Sequence, residues 1–362
     1  MSGLLPQGFH DRLPPAADAA ARLEGCVLGV ARSYGYERVD PPLAEFADEL
    51  GARLKTGGLR DAVRFVDPVS QRTLAVRPDL TAQVGRIAAT RMGHHPRPVR
   101  LSYAGAVMKL SASELDPLRS VRQIGCELIG LDTVAAATEV VGVAIEALRA
   151  AGVEGIAVDF TLPDLVDTLA GDATGLEELR DRLDAKDAGG VAAIDPRYLP
   201  LIEAAGPFDA AMARLRASDA GAALASRLDG LAAIAASIEG QAALTLDPTE
   251  RHGFEYQSWL GFSIFARGVR GEIGRGGSYT IVHGDGAEEA AVGFSLYADP
   301  ILAAGIGADA RRRLFVPLGT PAELAARLRS EGWVTVAALE AGDTPEAQLC
   351  THVLQGGAPV AL

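Results

Sequence analysis

The stretches VRLSYAGAVM, Val99 to Met108, and SVRQIGCELI, Ser120 to Ile129, decide the fold. Both are apolar, with the composition of extended backbone, and they flank a polar loop from Lys109 to Arg119. The middle of the sheet is therefore expected to be antiparallel rather than of the βαβ kind. Glu127 stands between Cys126 and Leu128 on the second strand. An unpaired carboxylate is costly there, so the position demands either partnership with Arg122 or a ligand in a pocket.

Working outward, apolar and polar residues alternate from Ala62 to Asp67 and from Arg72 to Arg77 around Pro68-Val69-Ser70-Gln71, which predicts a hairpin. After Leu13-Pro14-Pro15 the spacing of Leu23, Val27 and Val30 predicts a helix to Ser33, stopped at Gly35. Tyr36 to Val39 then reads as a short strand before the Asp40-Pro41-Pro42 break. On the far side, Val134 to Ala150 has Val140, Val141, Ile145 and Leu148 spaced for burial in a helix, and Val158 to Leu162 follows as a strand.

From Pro163 to about Leu244 the chain is alanine-rich and helical, with no strands expected, as in an inserted helical subdomain. Strands resume at Phe262 to Phe265, Tyr279 to Val282 and Ala291 to Tyr297. Gly274-Arg275-Gly276-Gly277 reads as a tight turn that lets backbone approach a ligand; it lacks the lysine and following helix of a phosphate cradle. The last segment suggests a small βαβ unit with strands at Leu314 to Leu318, Val334 to Ala338 and His352 to Leu354. The expected organisation is thus a core of 1–162 and 245–308, a helical insertion 163–244 and a short α/β segment 309–362.

The net charge of −13 and a pI near 5.0 argue against a large surface for tracking phosphates. Cys26, Cys126 and Cys350 are too scattered for a zinc knuckle or a disulfide framework, and His94-His95 has no third ligand nearby, so no metal is expected. No stretch approaches the roughly 20 apolar residues that span a bilayer. The expected location is the cytoplasm.

An antiparallel sheet with this leading helix, proline break and helical insertion suggests an α+β fold of the class II aminoacyl-tRNA synthetase kind. The motifs resemble one family in particular. Gly8-Phe9-His10-Asp11-Arg12-Leu13-Pro14-Pro15 resembles the opening of histidyl-tRNA synthetases, and Tyr34 to Pro42 resembles the first class II motif, which builds the dimer interface. Val76-Arg77-Pro78-Asp79-Leu80-Thr81 is similar to the amino-acid-binding strand, and Gln123 to Gly130 to the second half of the second motif. Arg251 to Tyr256 and Gly274 to Tyr279 resemble the histidine-specific segment and the glycine-rich turn after it. These matches are collinear from about Pro6 to Asp299.

The resemblance implies a histidine site. Asp79, Thr81 and Gln123 match the positions that hold the amino-acid end, Glu127 the one that reads the imidazole, and Glu255 and Tyr256 belong to the histidine-specific segment. Taken as ordinary residues, Asp79 also suits the cap of a helix starting near Thr81, and both roles can hold at once. Gln123 equally suits an ordinary strand hydrogen-bonder, His252 a surface histidine and Lys109 a solvated strand end.

The departures bear on activity. Where the second motif has Phe-Arg-x-Glu, this chain has Met108-Lys109-Leu110-Ser111, and a lysine is a point charge rather than a guanidinium fork. Where the third motif ends Gly-Leu-Glu-Arg, it has Tyr297-Ala298-Asp299-Pro300. The histidine-specific arginine falls at His252, and an imidazole-facing tyrosine at Gln257. The tail is about half the length of an anticodon-binding domain, with five arginines from Arg311 to Arg329 against six acids from Asp309 to Glu346.

Together these features resemble the regulatory subunits that accompany short-form ATP phosphoribosyltransferases. That resemblance implies no catalytic residues, no cofactor and no tRNA, a dimer through the Tyr36 to Pro42 region, a catalytic-subunit partner, and histidine as effector. Two other readings stay open: a degenerate histidyl-tRNA synthetase that still forms adenylate, and a histidine sensor with another partner.

Overall fold

The computed structural model describes residues 4–51, 62–111, 118–170, 176–218, 221–250, 257–307 and 312–362. Helix α1 (Ala16–Ser33) leads into strands β1 (Glu37–Arg38) and β2 (Ala44–Phe46) and helix α2 (Ala47–Gly51). The hairpin β3 (Arg64–Val66) and β4 (Thr73–Val76) precedes helix α3 (Thr81–Thr90). Then come β5 (Val99–Met108), β6 (Ser120–Ile129), helix α4 (Val134–Ala150) and β7 (Ile156–Thr161).

Local chemistry accounts for the two large helices. In α1 the residues Ala19, Leu23, Val27 and Ala31 recur every fourth position and are all buried. Gly35, at φ +83°, lets the backbone N–H groups of Gly35 and Tyr36 turn back onto Arg32 and Ala31, which ends the helix as the sequence predicts. Thr133 caps α4 by accepting from the Ala136 N–H. Val140, Val141, Ala144, Ile145 and Leu148 then bury one broad face, each large side chain stabilising the fold by about 1.5–3 kcal/mol.

The next stretch holds helices α5 (Leu165–Ala170), α6 (Leu176–Asp184), α7 (Ala188–Ile194) and α8 (Leu199–Glu203), strand β8 (Gly206–Pro207), helices α9 (Phe208–Ala217) and α10 (Gly221–Ser237), and strand β9 (Ala243–Leu246). The expectation of a strand-free segment to Leu244 is corrected here. β9 starts at Ala243 and pairs in parallel with β7, and β8 adds to it as an edge, where Pro207 without its N–H is tolerated. Leu179, Leu201, Leu215, Leu228 and Leu231 share one apolar cluster with α1 and α4, and 1–307 form one compact unit.

Strands β10 (Gln257–Ala266), β11 (Gly274–Val282) and β12 (Glu288–Tyr297) complete the sheet, and helix α11 (Ala298–Ala303) follows directly. Among the described residues the sheet has nine strands in the order β1-β5-β6-β12-β11-β10-β7-β9-β8. All pairs from β5 through to β7 are antiparallel, as the two deciding stretches require. The β3–β4 hairpin forms as predicted but belongs to a separate three-stranded sheet with β2.

The glycine run 274–277 is not a turn: it opens β11. A Cβ on Gly276 would stand 2.4 Å from the Phe262 ring and from the Gly293 carbonyl oxygen. The glycines are therefore demanded by crowding from the neighbouring strands rather than by a chain reversal.

Residues 308–362 form a second compact unit. Strand β13 (Arg313–Val316), helix α12 (Ala322–Ser330) and β14 (Val334–Ala337) make the predicted βαβ unit, with β13 and β14 parallel. β15 (His352–Gln355) pairs on the other side of β13, and an unanticipated β16 (Ala358–Ala361) closes the sheet edge. Leu314, Val316, Leu328 and Leu354 form its core. No helix of the described residues is long and apolar enough to cross a membrane.

Because Gly276 has no room for a methyl group, Gly276→Ala is expected to lower stability by about 1–3 kcal/mol. Urea unfolding measures this directly, and an unchanged midpoint would contradict the crowding.

Candidate functional site

Alternation along β6 sorts its side chains. Ile124, Cys126 and Leu128 enter the cluster with α1 and α4, while Val121 and Ile129 enter a second cluster with Leu80, Val84 and Ala88 of the α3 side. Gln123 and Glu127 follow the second set, so two polar side chains share the face that α3 covers. Between them is Gly125, where a Cβ would stand 2.5 Å from the Tyr103 hydroxyl. That gap admits the Tyr103 phenol from β5 across the strand.

Glu127 is 1% exposed. Its Oε1 accepts from the Tyr103 hydroxyl at 2.9 Å and its Oε2 from the Tyr279 hydroxyl at 2.7 Å. The sequence-based alternative of a partnership with Arg122 is corrected: Arg122 turns to Glu24, at 2.5 and 2.9 Å, because alternation places it on the opposite face. Burial pushes the Glu127 carboxyl up to about 8, against the two tyrosine hydrogen bonds that pull it down, and the nearby Asp79 adds to the rise. Burial and Glu127 together push the Tyr103 phenol well up, so it remains a donor.

From there a polar chain runs to Asp79. Tyr103 and Ser295 share a 2.9 Å hydrogen bond, and Gln123 Nε2 donates to Ser295 Oγ at 2.6 Å and to Asp79 Oδ2 at 2.7 Å. Gln123 Oε1 accepts from the Leu80 N–H at 3.0 Å. Asp79 Oδ1 accepts from the Thr81 N–H at 2.7 Å from one residue ahead of the N-cap, which is Leu80 and not Asp79, while Oδ2 faces Gln123. Thr81 Oγ1 lies 3.4 Å from the Tyr103 hydroxyl. Among the described residues, neither Asp79 nor Glu127 is paired with an arginine or lysine.

The floor is glycine. Glu127, Gly293, Gly277 and Gly261 are in register across β6, β12, β11 and β10. A Cβ on Gly293 would fall 1.7 Å from Glu127 Oε2, so the carboxylate lies over that glycine, and the Gln257 amide lies in the same way over Gly277. The wall is braced to the chain break at Pro41-Pro42. Arg77 donates from Nη1 to the Pro41 carbonyl and from Nε to the Ala106 carbonyl, both at 2.8 Å, and Gln83 Nε2 donates to the Pro42 carbonyl at 2.8 Å.

Of the sequence-predicted residues, Asp79, Thr81, Gln123 and Glu127 come together, and Gln257 lies over Gly277 in the adjoining glycine row. His252, Glu255 and Tyr256 lie outside the described residues. Lys109 and Ser111 stand elsewhere, just past the end of β5, and Pro300 is in the first turn of α11. Beside Pro300, Asp299 pairs with Arg12 and accepts from the Arg122 N–H at 2.9 Å. Sequence reasoning missed Tyr103, Tyr279 and Ser295; the one signal for them was Gly125 between two same-face polar residues. The arrangement suits a small polar ligand with cationic groups and holds the donors and acceptors to orient it.

A raised carboxyl gives a definite pH signature. Folded Glu127 keeps a proton that an unfolded glutamate, near 4.5, has lost. Its contribution is therefore full below that pH and declines as pH rises through about 8. Between pH 6 and 9 the melting temperature of Glu127→Gln is expected to fall less than that of the unsubstituted chain. Parallel curves would show that Glu127 does not carry the proton.

Comparison with known proteins identifies the family. The histidyl-tRNA synthetase family model matches residues 8–301. An ATP phosphoribosyltransferase regulatory subunit of Rhodospirillum centenum is 44% identical, over 98% of this chain and 95% of its own length. The corresponding protein of Paramagnetospirillum magneticum is 41% identical over 97% and 96%. Among solved structures, an ATP phosphoribosyltransferase regulatory subunit/histidyl-tRNA synthetase from Bacillus halodurans superposes with a TM-score of 0.80 over 96% of each chain, at 22% identity, and shares the fold. The chain belongs to the family of ATP phosphoribosyltransferase regulatory subunits, built on the histidyl-tRNA synthetase core.

Proposed function

We propose that this chain is the non-catalytic regulatory subunit of an ATP phosphoribosyltransferase. In this role it joins a short-form catalytic subunit in the cytoplasm, pairs with itself through the Tyr36 to Pro42 region, and senses histidine at the polar cluster on the sheet face below α3. The observation that carries the reading is a contrast within one site. The amino-acid side keeps a connected cradle, Asp79, Gln123, Ser295, Tyr103 and Glu127. At the third-motif stretch, where a synthetase would present a phosphate-clamping arginine, Asp299 holds Arg12 and the next residue is Pro300.

A carboxylate beside a proline repels and cannot grip the phosphates of ATP, and Lys109 and His252 replace two further guanidinium forks by groups without the planar fork. A ligand ammonium suits Asp79, and an imidazole suits Glu127. Because binding is reciprocal, histidine that favours one arrangement of the complex changes the catalytic subunit's substrate affinity, and those substrates alter histidine affinity equally.

The test is ATP phosphoribosyltransferase activity of the catalytic subunit, alone and mixed with this chain, across a histidine titration. Mixing is expected to raise the rate and histidine to lower it again. No change in rate, together with no complex on a sizing column, would reject the proposal. In the same preparation, pyrophosphate exchange with ATP and histidine is expected to stay at background; measurable exchange would favour the degenerate synthetase instead.

A further inference from the structure

Where β11 has one residue, Ser278, between Gly277 and Tyr279, β10 has three between Gly261 and Gln257. That bulge changes which way a side chain points. Trp259 and Leu260 are neighbours in sequence, yet both enter the apolar cluster shared with α1 and α4, whereas strict alternation would send them to opposite faces. The polar groups freed by the bulge are met by one buried hydroxyl. Ser278 Oγ accepts from the Leu260 N–H at 3.1 Å and from the Ser258 hydroxyl at 2.9 Å, and donates to the Leu260 carbonyl at 3.4 Å.

Turned this way, Trp259 meets the helices between β7 and β9. It is 7% exposed, and its Nε1 donates at 2.9 Å to the carbonyl of Asp132, one residue ahead of the Thr133 cap of α4. A Cβ on Gly230 of α10 would stand 3.3 Å from Cζ3 of the indole and 3.2 Å from Cγ2 of Val134. Glycine is a poor residue inside a helix, and here it leaves the indole its place. Two residues before Trp259, Gln257 lies over Gly277 in the glycine row that continues under Glu127. Pairing of β10 with β7 begins only at Gly261, so a shift of Gln257 to Leu260 breaks no ladder bond on that side.

We propose that Trp259 couples the polar cluster to α10: a ligand held at the cluster shifts the start of β10, and the shift reaches α10 through the indole. Trp259 is a positioning residue in this scheme and touches no ligand. The proposal rests on histidine being the ligand of the cluster and gives its regulation a route. The coupling runs both ways, so a change made on α10 alters histidine affinity.

The chain has two tryptophans, Trp259 and Trp333, so Trp333→Phe leaves a single emitter. Titration of that full-length variant with histidine, followed by calorimetry and by Trp259 emission, is expected to give the same midpoint by both. Gly230→Ala presses on the indole from α10 and is expected to weaken histidine by about 3- to 10-fold, the scale of coupling through packed side chains. Phenylalanine lacks the outer ring that meets Gly230. The double variant Gly230→Ala with Trp259→Phe is therefore expected to bind histidine as Trp259→Phe alone does.

Calorimetric binding without a change in Trp259 emission, or Gly230→Ala binding histidine as the unsubstituted chain does, overturns the coupling and leaves histidine as the ligand. A double variant that keeps the full loss caused by Gly230→Ala overturns it as well, since the effect would then bypass the indole. No histidine binding at all by the unsubstituted chain overturns the ligand reading and this proposal together. Should Gly230→Ala fail to fold, the emission titration decides by itself.

Discussion

A carboxylate sealed inside a sheet has to be answered on every side, and the answers to Glu127 organise this molecule. Two tyrosines from strands on either side of β6 donate to its two oxygens. A glycine on β12 leaves room for its head, and a glycine on its own strand leaves room for one of the phenols. The α3 side supplies the apolar cover that keeps water from it. Remove any of these and the buried carboxyl is left unsatisfied or the strand pairing is pushed apart.

The same economy explains how a synthetase-like core serves regulation. The cluster of Asp79, Gln123, Ser295 and Tyr103 is tied together by direct side-chain hydrogen bonds across β5, β6 and β12. On the opposite face of β6 Arg122 pairs with Glu24, and Arg12 pairs with Asp299 at the start of α11. Such pairs give modest stability where they are partly exposed.

How much of this was legible in the sequence depends on whether its cause is local. The bounds of β5, β6 and α4 could be read because the apolar pattern itself carries the period. β8 and β16 could not: they are short, sit at sheet edges and exist through a partner strand distant in sequence. The glycines of 274–277 were visible but read as a turn, since glycine marks both turns and crowded strand crossings and only the neighbouring strand distinguishes them. In the site, Glu127 stood out as a polar group against apolar surroundings, and Asp79 and Gln123 through the motifs they belong to. Tyr103, Tyr279 and Ser295 did not, because tyrosine and serine on a strand look ordinary until the register brings them face to face.

The glycine row under Glu127 and Gln257 also sets the direction in which this protein can drift. Glycine has no smaller replacement, so every substitution at Gly277 or Gly293 adds volume, and added volume there meets Gln257 or Glu127. Random change can only fill the space, never widen it. A lineage that fills this space does so in one step, and it clears those positions only by returning to glycine at the same codon.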